Sequence, residues 1–167
     1  MVSSIRPLTG IKYSRCQNNP DELIIHDVFD KIARRCKNAK NKSGTAQLFC
    51  TQNGEFYSLS ANGLKKVKHS FSPCSVNSHK GSCYPNMRNF SNKLCHHLVY
   101  EAWIGPRTPG MEIDHINGNK FDYRACNLEK VTPGENRRRA IILRSLRNDG
   151  FNIDAFSPYE IKQFFFS

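Results

Sequence analysis

The run Met111-Glu-Ile-Asp-His-Ile-Asn-Gly-Asn-Lys120 constrains this chain most, taken with Cys126-Asn-Leu-Glu-Lys130 and Thr132-Pro-Gly-Glu-Asn136. It reads as strand, loop, strand, helix. Glu112 to Ile116 is short and has an apolar centre. Asn117-Gly118-Asn119 turns the chain, because glycine and asparagine tolerate positive φ. Leu128 to Val131 alternates apolar and charged residues, as a half-buried strand does. Thr132 can cap a helix, Pro133 suits its first position, and Glu135 completes a capping box. Asn136 then falls in the first helical turn. That turn can fold back on the hairpin and make Asp114, His115 and Asn136 neighbours. A carboxylate, an imidazole and an amide oxygen together suit a hard metal ion and a general base.

The order His115, Asn127, Asn136, with Asp114 just before the histidine, resembles the HNH nucleases, and among them the phage-type HNH homing endonucleases. The resemblance extends upstream through Cys95-His-His-Leu-Val-Tyr-Glu-Ala-Trp103. It runs from Glu55 to Arg139 and is densest between His96 and Asn136. It implies an α+β fold: a small antiparallel sheet, then a ββα-metal (His-Me finger) motif with flanking helices. It also implies a DNA endonuclease that nicks or cuts double-stranded DNA. By that resemblance His115 deprotonates the attacking water. Asp114 and Asn136 hold one divalent ion between the scissile phosphate and the leaving 3′ oxygen. All-oxygen ligands point to Mg2+ or Mn2+ rather than zinc. Asn127 ties the hairpin loop through hydrogen bonds and so positions His115. His96 matches a family position at the start of its helix, and its other reading is a structural histidine beside the hairpin. Some HNH nucleases end the motif in histidine; this chain ends it in asparagine, which weakens the case for zinc and not the case for cleavage. Adjacent strand residues face opposite sides, so the sequence does not show how Asp114 and His115 reach one site.

Composition agrees with a polyanionic partner. The chain has 167 residues and a formal net charge of +11, from 25 Lys+Arg against 14 Asp+Glu. That length suits one compact domain or a small domain with an appendage. The charge favours nucleic acid first and an anionic membrane second. No apolar run is long enough to span a bilayer, and Met1 to Pro7 lacks the basic-then-apolar order of a secretory signal. The expectation is a cytoplasmic monomer without membrane contact. None of the seven cysteines forms a C-x-x-C pair. Free thiols are expected, with an irregular zinc set of Cys74, His79 and Cys83 as the alternative.

Four segments follow from the patterning. Residues 1–45 read as an extended arm to Pro20 and then a basic helix, since Leu23, Ile24, Val28, Ile32 and Ala33 recur at helical spacing from Glu22 to Cys36. Its basic run, Lys31 to Lys42, is either a solvated helix end or a phosphate-contacting arm. Residues 46–93 read as one meandering antiparallel sheet. Its strands are Ala46 to Phe49, Glu55 to Leu59 and Leu64 to His69, joined at Asn53-Gly54 and Asn62-Gly63. A polar loop from Ser70 to Lys80 follows, then a strand from Ser82 to Arg88 that Pro85 restricts to an edge. Residues 94–148 hold a helix from Leu94 to Trp103, the nuclease-like hairpin and a second helix ended by Asn148-Asp-Gly150. In residues 149–167, Ser157-Pro-Tyr-Glu160 opens a short last helix. Phe164 to Phe166 either pack on the core or form a partner patch. His97 is expected to be exposed.

Lys65, Lys66, Lys68 and Lys120 are candidate DNA contacts. At about 100° per residue, Arg139 is the nearest neighbour of Asn136 on its helix face. It is expected to contact a phosphate, with Arg137 assisting and Arg138 turned away. Two other classes remain: a non-cleaving DNA-binding protein with a degenerate module, and an RNA-binding basic protein. The second lacks a closely spaced aromatic platform in the sequence.

Overall fold

The computed structural model describes residues 10–71 and 84–166. Its first part is a six-stranded antiparallel meander in chain order. The strands are β1 (Lys12–Arg15), β2 (Glu22–His26), β3 (Lys31–Lys40), β4 (Gln47–Thr51), β5 (Phe56–Ser60) and β6 (Gly63–Val67). A three-stranded sheet follows, in the order β7 (Ser70–Phe71), β8 (Pro85–Met87), β9 (Lys93–Leu94). Then come α1 (Cys95–Trp103), the antiparallel pair β10 (Glu112–His115) and β11 (Leu128–Val131), α2 (Pro133–Asn148) and α3 (Pro158–Phe166). The chain is thus a mixed sheet-and-helix fold with antiparallel sheets.

The helix expected from Glu22 to Cys36 is instead two strands. Leu23 and Ile25 are buried while their neighbours are less so, a period of two. Ile24 stands opposite Ile32 in the β2–β3 register, where β-branched side chains pack well on a pleated surface. Val28 and Ile32, placed by spacing on the expected helical stripe, are exposed at and beyond the turn. The arm expected up to Pro20 contains β1, which pairs with β2 from Lys12 to Arg15. The boundary set at residues 45/46 falls between β3 and β4, which are paired. The single meander expected from residue 46 belongs to separate sheets. Pro85 opens β8, the central strand of its sheet, rather than an edge. A first position in a strand tolerates a missing N–H. Ser70 and Phe71 form a strand rather than a loop. The expectations for residues 1–9, for 72–83 and for Cys74, His79 and Cys83 lie outside the described residues.

Strand alternation sends the sheet's side chains to two cores. On one face Leu23, Ile25, Ala33, Phe49, Tyr57, Leu59 and Leu64 cluster. On the other, Cys36, Leu48, Cys50 and Phe56 meet Leu98 and Val99 of α1 and reach Ile113 and Leu128 of the β10–β11 pair. The Trp103 indole N–H donates to the Cys50 carbonyl at 3.0 Å. A third cluster, Ile116, Leu143, Ile153, Ile161 and Phe165, joins the hairpin loop to α2 and α3. Phe165 is buried there and Phe166 is exposed. The hairpin is therefore held from both sides. Cys16, Cys36, Cys50, Cys95 and Cys126 are free thiols.

The helix starts follow their caps. Thr132 Oγ accepts from the Glu135 N–H at 3.1 Å. The Glu135 carboxylate does not complete the expected capping box; it turns to Arg138 and Arg139. At α3 the box is reciprocal: Ser157 Oγ accepts from Glu160 N–H, and the Glu160 carboxylate accepts from Ser157 N–H at 2.8 Å.

Candidate active site

The β10–β11 register sets Asp114 opposite Glu129 and His115 opposite Leu128. The loop between them is tied internally. Asn127 is fully buried. Its Oδ1 accepts from the Asn117 N–H at 3.1 Å, and its Nδ2 donates to Asn117 Oδ1 at 2.8 Å and to the Asp122 carbonyl at 2.7 Å. Arg147 of α2 donates to the Asn117 carbonyl at 2.8 Å. Gly118 takes φ +70°, and a Cβ there would come within 3.0 Å of Leu143, so the turn needs glycine twice over.

The two faces of β10 point to different helices. Ile113 and His115 turn toward α1. The His115 ring lies 4.8 Å from His96 and 6.3 Å from Tyr84, centroid to centroid. Burial pushes the His115 pKa down to about 4 and that of His96 to about 2. Both rings are neutral at pH 7, because a low-dielectric setting disfavours the charged form. Nε2 of His115 and Nδ1 of His96 are buried and make no hydrogen bond. The Lys120 ammonium lies 4.6 Å over the Tyr84 ring, and Tyr84 thus links the loop to the histidine pair. His97, expected to be exposed, is half-buried, and its Nδ1 lies 3.2 Å from Arg107.

Glu112 and Asp114 turn toward α2. Burial raises the Asp114 pKa to about 6, against the lowering effect of the Arg139 cation. Arg139 Nη1 is 3.7 Å from Asp114 Oδ2, too long for a hydrogen bond, and that oxygen has none. Asn136, in the first turn of α2, donates through Nδ2 to Glu112 Oε2 at 2.6 Å. Sequence reading missed Glu112, although its two-residue spacing from Asp114 places both on one face. It also missed Tyr84, for which no sequence signal exists. A cleft of about 640 Å³ is lined by Tyr84, His96, His97, Glu112 and Asn136 among others. Asp114 and His115 are not among its lining residues, so the expected gathering of Asp114, His115 and Asn136 is only partial.

Arg139 is not where the helix-face argument put it. It is buried; its guanidinium is bound by Glu129 at 2.5 Å and Glu135 at 2.8 Å, and stacks over Phe165 at 4.7 Å. The expected phosphate contact is thus replaced by an internal ion-pair hub, because α3 covers that face of α2. Arg138 bonds Glu135 and donates to the Phe165 carbonyl. Arg137 is exposed and has no ion pair among the described residues. Lys65 and Lys68 are exposed, whereas Lys66 is paired with Glu55. The basic run of β3 is largely neutralised: Arg34 by Glu22 at 2.9 Å, Lys37 by Asp21 at 2.7 Å and Lys31 by Asp27 at 2.9 Å. That favours the solvated reading over a phosphate arm.

Among the described residues, no group of three His, Cys, Asp or Glu side chains is placed to hold a metal ion. No helix among them is long and apolar enough to cross a membrane.

Residues 93–138 match the family model described as HNH endonuclease. The matched span takes in α1, the β10–β11 hairpin and the start of α2, so the resemblance read from the motif holds there. Over 50 residues the chain is 44% identical to the "SPbeta prophage-derived putative HNH homing endonuclease YosQ" of Bacillus subtilis (strain 168). That match covers 30% of this chain and 29% of the relative's length. No solved structure gave a significant match.

Proposed function

We propose that this chain is a metal-dependent HNH endonuclease that hydrolyses phosphodiester bonds in double-stranded DNA, with β10, β11 and α2 as its ββα-metal motif. The observation that carries the reading is the pair of buried, unpartnered polar atoms on neighbouring residues: Nε2 of His115 and Oδ2 of Asp114. Buried polar atoms are normally satisfied, and exceptions concentrate where a substrate or ion completes the set. His115 is neutral, as a general base must be to accept a proton from water. Its basicity is low while it is buried, and an approaching phosphate anion would raise it. Asn127 and Asn117 fix the loop that leads away from His115.

Asp114 and Asn136 fit a hard divalent ion. Oδ2 of Asp114 is unbonded, and with Asn136 Nδ2 on Glu112, the Asn136 Oδ1 is left to serve as a ligand. Two protein oxygens leave room for water and phosphate oxygens, as magnesium or manganese prefers. Bound there, such an ion would supply charge neutralisation at the phosphate and the leaving oxygen. Arg137, Lys65, Lys68 and Lys120 supply sequence-independent attraction to the backbone. The match to a relative whose name reads prophage-derived putative HNH homing endonuclease supports a phage or homing role.

One observation favours a second reading, a DNA-binding protein that does not cut. The Arg139 cation already faces Asp114 from 3.7 Å. If it stays there, it takes the place of the divalent ion. Supercoiled plasmid with protein and Mg2+, with and without chelator, separates the two. Chelator-sensitive nicking or linearisation supports the nuclease; DNA retention on gels without cutting supports the binder.

A further inference from the structure

Two exposed phenylalanines, far apart in the chain, meet beside the hairpin loop. Phe71 of β7 and Phe121 of the loop lie 5.8 Å apart, edge to face, and are 47% and 58% exposed. They are the outer end of an aromatic row. Phe71 touches His69 at 5.2 Å, His69 touches Tyr123 at 5.7 Å, and Tyr123 reaches Phe56 in the core at 6.0 Å. The Tyr123 hydroxyl and His69 Nδ1 are 2.8 Å apart. Gly54 lies against the Tyr123 ring so closely that a Cβ would sit 2.8 Å from it. The row is thus anchored inside while its tip is bare. A cleft of about 410 Å³ opens beside Phe121, lined by Asn53, Asn119, Tyr123 and Arg124 among others.

We propose that Phe121, backed by Phe71, is a stacking platform for one unstacked DNA base, whose edge enters the cleft of Asn53 and Arg124. Charge selects that occupant. The loop's carboxylate, Asp122, is bound by Arg124 at 2.7 Å, and Glu55 by Lys31 at 3.1 Å. Lys68 next to the row is exposed, and Lys120 adjoins Phe121. The surface therefore joins bare π-faces to cationic surroundings, the combination that holds nucleotides. Amide and guanidinium groups offer donors and acceptors to a base edge. The platform belongs to the loop tied by Asn127, and Lys120 of the same loop stands over Tyr84, which neighbours His115. The proposal takes from the nuclease reading only its DNA substrate. No local pattern announces it, because its rings come from separate elements.

The test is binding of fluorescein-labelled duplexes of mixed sequence that carry one unpaired nucleotide. Matched duplexes carry no unpaired nucleotide, or an abasic unit in its place. Wild type should prefer the unpaired base over the abasic unit by about tenfold, within the range of one base–aromatic stack. Phe121→Ala should abolish that preference, Phe71→Ala should reduce it, and Phe121→Trp should keep it. Both alanine sites are exposed, and unchanged melting temperatures would show that folding is intact. Equal binding of base and abasic unit by wild type overturns the proposal, as does a preference that survives Phe121→Ala. Cleavage is scored separately with Mg2+. A protein that shows the preference without cutting loses the nuclease reading and keeps the platform; one that cuts while Phe121→Ala binds as wild type does the reverse.

Discussion

The six-stranded sheet and the β10–β11 hairpin bury different chemistry. The sheet's inner cluster from Leu23 to Leu64 is apolar apart from the Tyr57 hydroxyl, and charged side chains of the sheet pair with one another at its rim. The hairpin and its helices bury His96, His115, Asn117, Asn127 and Arg139. These fall into two groups. Asn117, Asn127 and Arg139 are hydrogen-bonded and hold the loop and α2 in place. His96, His115 and Asp114 each keep an unbonded buried atom. Desolvating polar groups without compensation costs stability. For these three residues that cost falls on the hairpin and on the α1 helix packed against it, and a fold departs from local consistency where function requires it.

The contrast can be broken most directly with two alanine substitutions. His115→Ala should lower the cleavage rate about 10²–10⁴-fold, the usual loss of a general base, while leaving the melting temperature unchanged or higher. Phe49→Ala, in the apolar cluster, should cost about 3–5 kcal/mol of folding stability and leave per-molecule cleavage of the folded fraction near wild type. Single-turnover cleavage and urea unfolding on both variants check this. If His115→Ala lowers the melting temperature as Phe49→Ala does while its folded fraction cuts at the wild-type rate, the hairpin histidine belongs to the core and the two regions are alike.

Acid should expose the next difference. The His96 pKa is lowered to about 2, below the ordinary value of 6.5, by burial first and then by His115. The unfolded chain binds a proton below pH 6.5 that the folded chain refuses. Stability from this group is full above pH 6.5 and falls as pH drops through the window from 6.5 toward 2, by about 1.4 kcal/mol per pH unit. His97 and His115, each lowered to about 4, act in the same direction. The inner cluster of the sheet holds no histidine. His96→Phe should therefore flatten the fall in urea midpoint between pH 7 and pH 4.5. An unchanged slope would place the acid sensitivity elsewhere.

Asn127→Ala probes the satisfied group. It leaves the Asn117 N–H and the Asp122 carbonyl without their partner and Asn117 Oδ1 with the Asn119 N–H alone, at a cost of about 1–3 kcal/mol. The melting temperature should fall, with little change in the Mg2+ concentration needed for half-maximal cutting. Asn136→Ala should do the reverse. A metal shift in Asn127→Ala without loss of stability would exchange the two roles.

The two regions also differ in how far their sequences reveal them. From Leu94 onward each element carries its own punctuation: Asn117-Gly118 for the turn, Thr132-Pro133 for the helix start, Gly150 for its end. Local chemistry decides those boundaries, and β11, α1 and α2 fall where it puts them. Between Asp21 and Lys40 the apolar residues fit periods of two and of nearly four alike. Pairing of Ile24 with Ile32, a tertiary choice, settles the matter in favour of strands. The site was legible in its residue types. Its arrangement was not, because the α3 that buries Arg139, and the Tyr84 that covers His115, come from elsewhere in the chain.

Arg139 yields the smallest expected effect and the sharpest correction. On helix phase alone it shares the face of Asn136 and belongs on a phosphate. The ion pairs with Glu129 and Glu135 and the Phe165 ring occupy its guanidinium instead. Removing it leaves two carboxylates beside Asp114 with fewer cations, so Arg139→Ala should lower the melting temperature and leave the salt dependence of DNA binding unchanged. Arg137 is exposed and unpaired among the described residues, on the turn that carries Asn136. Each phosphate contact contributes about one to the slope of log K against log salt. Arg137→Ala should flatten that slope by about 1, weaken binding to all sequences alike and leave stability untouched. Binding isotherms across a salt series, with a melting curve for each variant, decide the matter. If Arg139→Ala flattens the slope and Arg137→Ala does not, then Arg139 leaves its carboxylates when DNA arrives. That movement would also uncover Asp114 for a metal ion.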